Sequence, residues 1–186
     1  MFISQQLRKD NIAEYLLYMW QVEDTIRAFG CSLPRIRREY VARFDYTDEQ
    51  KDELTDWYGN LIKMMNEEGC RDEGHLQINK VTLQLLTELH LQLLASPKFP
   101  FYSAAYYKVL PFIVELRSKG ARKDESEIET CLNLLYGVMM LRLQKKEITP
   151  NTQHAVKEVT TLVGMLSDYY KKDREEGLFT NEEYND

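Results

Sequence analysis

Metal binding and proton transfer are the chemistries to look for first, since the chain carries three histidines and 30 acidic residues. A di-iron bundle would show Glu-x-x-His on two helices and a zinc peptidase His-Glu-x-x-His, and the sequence contains neither spacing. His75, His90 and His154 stand alone. The first two lie about four turns apart on one expected helix, too distant to share an ion, so all three read as ordinary surface or boundary residues. Nucleophilic chemistry is no better marked. There is no Gly-x-Ser-x-Gly elbow, and Cys31, Cys70 and Cys131 share no CxxC spacing and have no histidine close by in sequence. Each cysteine reads as a small apolar filler. No Gly-rich phosphate loop follows a strand, and no strand is expected at all. The chain therefore leans away from enzymes, with no catalytic, cofactor-binding or metal-ligating residue and no cofactor.

Two surfaces could engage a partner instead. Arg35, Arg37, Arg38 and Arg43 crowd a short segment with Tyr40 and Phe44 between them, a pattern that could meet an acidic protein, a phosphorylated ligand or an RNA backbone. Glu39 lies among them, and a solvated, internally paired face accounts for the same residues. Tyr102, Tyr106 and Tyr107, with Phe112, gather around Pro111, where rings with hydroxyls could line a partly polar pocket or simply stand between core and water. Phe179 and Tyr184 in the acidic end are a third, weaker docking candidate.

Helices must position these residues. Apolar residues recur at helical spacing over 10–29, from Ile12 to Phe29, with Gly30 as the stop and Glu23 set to pair with Arg27. Ser32 caps a short helix with Pro34 in its first turn and a basic outer face over 34–44. Thr47 and Gln50 form a capping box for a helix whose buried stripe runs from Leu54 to Met65. The next helix, 75–95, is so rich in leucine that it should be mostly buried, and Pro97 and Pro100 end it. Pro111 lies within the following helix and predicts a kink there, or two short helices. Asp124 is the expected cap of the helix containing 128–143, IETCLNLLYGVMMLRL, which is apolar on nearly every side and should sit at the centre. Gly137 inside it predicts a close crossing by another helix, and Arg142 a polar exit to solvent or a carboxylate. Thr149 and Pro150 open the last helix, which ends near Glu176.

The sum is an all-α, antiparallel bundle of six to seven helices, one of them kinked at Pro111. It is read as a single helical domain over 1–176 with a frayed acidic tail over 177–186. The opening stretch MFISQQLRKDNIAEYLLYMWQVEDTIRA resembles the start of a bacterial family of uncharacterised proteins, a domain-of-unknown-function family of about this length. The resemblance implies an all-helical domain and supplies no activity or motif.

At 186 residues, the chain is long enough to bury a full core without disulfides. The odd cysteine count and the absence of a signal-like start suggest a cytoplasmic protein, and no stretch is apolar enough to span a membrane. Net charge is −6, and residues 1–46 hold seven Lys/Arg against six Asp/Glu, so the acidic excess lies beyond them. Such a balance disfavours non-specific nucleic-acid binding. Three function classes follow. The leading one is a non-enzymatic interaction or scaffold protein with a protein partner, including a second copy joined through leftover apolar residues on the helices over 10–29 and 106–119. The others are a regulatory module that docks an acidic or nucleic-acid partner through 34–44, and a small-ligand binder or enzyme with a pocket near Pro111.

Overall fold

The computed structural model describes residues 2–120 and 125–179. The protein is all-α. The described residues form eight α-helices: α1 Phe2–Asp10, α2 Ile12–Ala28, α3 Leu33–Glu39, α4 Asp48–Glu67, α5 Gln77–Ala95, α6 Pro100–Ser118, α7 Glu127–Leu143 and α8 Pro150–Glu176. A 3-10 turn, Val41–Arg43, follows α3, so the basic helix expected to reach residue 44 breaks at Tyr40 instead. No described helix is long and apolar enough to cross a membrane.

Local chemistry sets most boundaries. The Gln50 amide donates to Thr47 Oγ1 at 3.3 Å and the Thr47 amide to Gln50 Oε1 at 3.0 Å, the expected capping box at the head of α4. Thr149 Oγ1 accepts from the Thr152 amide at 3.2 Å with Pro150 in the first turn of α8. Ser32 holds the cap position of α3 but makes no capping hydrogen bond. Asp124 lies outside the described residues, and Ser126 caps α7, its Oγ accepting from the Glu129 amide at 3.0 Å. Pro111 sits inside α6, which runs from Pro100 to Ser118 as one helix and not as two short ones.

The chain forms two compact units. The first comprises residues 1–8 and 14–82. Its α3 and the 3-10 turn pack on α4, and Leu16, Trp20, Ile26, Ile36, Met65 and Leu76 are its most deeply buried large side chains. Gly59 makes the α3 contact close: a Cβ there would stand 3.2 Å from Leu33 Cδ2. The second unit comprises residues 9–13 and 83–186. There α6, α7 and α8 pack on one another around Leu86, Leu93, Tyr102, Ile113, Ile128 and Leu132, and the Ala13 amide donates to Ser167 Oγ at 3.3 Å.

Two apolar helices are less covered than their composition predicts. On α5, Val81, Leu85 and Leu91 are exposed. On α7, Ile128, Cys131, Leu132 and Val138 are buried, but Leu134, Leu135, Tyr136, Met139, Met140 and Leu141 are only half-buried and Leu143 is exposed. Among the described residues nothing lies within 4 Å of a Cβ built on Gly137, so the close crossing expected there does not occur among them. Arg142 is exposed, as its polar-exit reading required.

Candidate functional site

Each unit contains one histidine–carboxylate constellation. In the first unit Glu23 is wholly buried on α2, on the same stripe as Met19, Trp20 and Ile26. Its Oε1 accepts from the Leu76 amide at 2.9 Å and from Asn79 Nδ2 at 2.7 Å, and its Oε2 stands 2.6 Å from His75 Nδ1. A carboxylate only accepts, so Nδ1 is the protonated nitrogen. The His75 ring stacks on Trp20 at 4.5 Å between centroids. Arg27 fastens the same loop to α2: Nη2 donates to Cys70 O at 3.0 Å and to Gly74 O, while Nη1 holds Asp24 at 2.9 Å. The expected Glu23–Arg27 surface pair is therefore replaced by Arg27–Asp24. An imidazole oriented by a buried carboxylate is an arrangement proton transfer can use. Here, however, Glu23 spends its other bonds on the Leu76 amide, just ahead of α5, and on the Asn79 side chain in the first turn of α5, which makes it a buried anchor for the start of that helix.

In the second unit, His90 is 1% exposed, not the boundary residue its isolation suggested. Its Nδ1 lies 2.6 Å from Tyr102 Oη and its Nε2 3.4 Å from Glu127 Oε2, while Tyr106 Oη donates to Glu127 Oε1 at 3.2 Å. With the carboxylate accepting, the one consistent assignment runs Tyr102 O–H to Nδ1, then Nε2–H to Glu127. Every member has a partner, and α5, α6 and α7 are tied at one point. Burial pushes the His90 pKa below its ordinary value, partly offset by Glu127. Burial also drives the Tyr102 phenol far above its usual value and the Tyr106 phenol up to about 12, Glu127 adding to both. The Cys131 thiol is raised to about 12 by burial and then by Glu127, and the Cys70 thiol is raised by burial and then by Glu23. Both thiols stay protonated and unreactive near neutral pH.

The tyrosine trio is split between interior and surface. Tyr102 is fully buried, Tyr106 half-buried and Tyr107 67% exposed. Tyr107 lines a shallow groove of about 530 Å³ between the end of α5 and the start of α6, with Leu94, Pro97, Pro100 and Ala104. The basic residues stay at the surface but are largely paired. Arg35 meets Glu39 at 3.5 Å, Arg38 also bonds Glu39, and Arg37 meets Asp52 at 2.7 Å. The Arg38 hydrogen bond is the first cause holding Glu39 below the usual carboxylate range, with Arg35 adding to it. Among the described residues Arg43 alone of the four has no ion pair. No described cluster of His, Cys, Asp or Glu could hold a metal ion. Phe179 packs on Phe99 at 5.6 Å between centroids, while Tyr184 lies outside the described residues.

Both buried constellations carried a faint sequence signal: Glu23 and His90 each stand at helical spacing among core residues, where a polar group demands a partner. The partners could not be named, because they lie on other helices.

Fold and sites together define an all-helical protein whose polar clusters are spent internally on fixing helices. The chain belongs to the DUF4924 family, a domain of unknown function whose model matches residues 1–177. Neither curated proteins nor solved structures gave a match.

Proposed function

We propose that the protein is a non-enzymatic interaction module and that its contact face is the uncovered side of α7. One observation carries the reading: a helix with no charged residue from Cys131 to Leu141 is left half-buried, with Gly137 open to solvent. A helix apolar all round belongs under cover. Asn133, Leu134, Gly137, Met140, Leu141 and Gln144 share that side, all exposed or half-buried. An uncharged face centred on Leu134, Met140 and Leu141, rimmed by the amides of Asn133 and Gln144, has the composition of an interaction site. The Glu23 carboxylate, taken up by His75, the Leu76 amide and Asn79, the fully paired His90 cluster and the two protonated buried thiols support the non-enzymatic half of the reading. The paired arginines give the acidic-partner alternative less support than α7 gives this one. Free Cys31, Cys70 and Cys131 suit a reducing compartment, and we place the protein in the cytoplasm.

Methionine oxidation tests the face directly. Met140 oxidises readily when its face is bare and slowly when a partner covers it. Hydroxyl-radical footprinting of the protein in an extract of its own cells should show Met140 protected relative to the chain unfolded in urea and relative to a Met140-bearing Leu134→Glu, Leu141→Glu variant. Equal oxidation in the native and variant proteins would sink the reading.

A further inference from the structure

We infer that the occupant of the α7 face is a second copy of this chain, lying antiparallel across Gly137. This inference rests on the interaction reading above and names its partner.

Three features of α7 point to it. The first is spacing: Leu134 and Leu141 stand seven residues, two turns, apart on the open side of the helix, with Gly137 between them. Gly137 costs about 1 kcal/mol of helix propensity relative to alanine, and no neighbour among the described residues approaches it. A small residue on an open helical face lets another backbone come close.

The second is self-complementarity. A two-fold axis passing between Gly137 and Val138 sets Leu134 of each copy against Leu141 of the other, and the same contact forms twice. The seam carries no charge, so the copies meet without opposing like charges.

The third is the distribution of charge along the helix. Glu127 and Glu129 lie in the first turn, while Arg142 lies in the last and Lys145 and Lys146 just beyond it. An antiparallel pair sets the acidic end of each helix beside the basic end of the other, with the helix dipoles opposed as well. A parallel pair would set acid on acid and base on base. Glu127 keeps its bonds to His90 and Tyr106, which fix the acidic end in place.

Cysteine crosslinking distinguishes the arrangements. In a Cys31→Ser background, Leu134→Cys and Leu141→Cys proteins are oxidised separately and then as a mixture. The inference expects the mixture to form disulfide-linked dimers and each protein alone to form few, because identical positions sit about 10 Å apart along an antiparallel pair. Ready self-crosslinking of each variant would mean a parallel pair and overturn the inference, while a protected Met140 would leave the interaction reading standing. Light scattering gives the second readout. The native protein should have twice the mass of the 22.0 kDa chain, and Gly137→Leu should reduce it to one chain while helix content is retained. A native mass of one chain overturns the second-copy inference. If Met140 remained protected in that case, a different protein would cover α7; if it oxidised freely, both readings would fall.

Discussion

His90 shows how a side chain that looks idle in sequence becomes structural. Its four-residue step from Leu86 and three-residue step to Leu93 put it on the buried stripe of α5, and Tyr102, Tyr106 and Glu127 close around it. The position was legible, the network was not, because Glu127 lies 37 residues away. Glu23 is hidden the same way, since its three partners stand 52 to 56 residues along the chain. The network makes stability depend on pH. Burial holds the folded pKa of His90 below the value of about 6.5 expected in the unfolded chain. Its contribution is thus fully present above that unfolded value and is lost as pH falls toward the lower folded one. Urea midpoints measured at about pH 7.5 and about pH 5.5 should fall for the native protein and fall less for His90→Gln. Parallel falls in the two proteins would assign the acid sensitivity to other groups.

At the scale of elements, boundaries set by local chemistry and the buried stripe of amphipathic α4 were readable, and the burial of the all-apolar α7 was not. Thr47 with Gln50, Thr149 with Pro150, and the Pro97–Pro100 stop each act within a few residues, so sequence places them well. The extent to which α7 is covered depends on where α6 and α8 end up, which no local pattern encodes. The helix is consequently an anchor mainly over its first half, with Val138 alone buried beyond it. Leu132 is fully buried and Leu135 half-buried, although one turn separates them. Leu132→Ala should therefore cost about 2 to 5 kcal/mol, the range for a large cavity in a packed core. Leu135→Ala should cost less than half as much, as the site is already partly open to solvent. Urea unfolding of the two variants measures both, and equal losses would mean that the second half of α7 is as well packed as the first.

At the scale of the whole molecule, the division into two units has no signature in the sequence. It falls between Thr82 and Leu83, inside α5, and near the α1–α2 junction, with no Pro- or Gly-rich linker at either place. What composition does convey is a conflict: two chains of net charge −6 repel at long range, while the α7 seam that would join them is apolar. Repulsion between exposed charges fades beyond about 8 Å at physiological salt, so burial of the seam decides the outcome. Apolar burial has nearly zero enthalpy close to room temperature and a negative heat-capacity change, so it weakens on cooling. The proposed dimer should accordingly dissociate more readily at about 5 °C than at about 25 °C, a trend that sedimentation at several concentrations would measure. Charge contacts between the acidic and basic ends of paired α7 helices respond to salt and not steeply to temperature, so raising salt should weaken the pair only modestly. An assembly that tightens on cooling and falls apart in moderate salt would be held by the charged ends, and the Leu134–Leu141 contact would then be incidental to it.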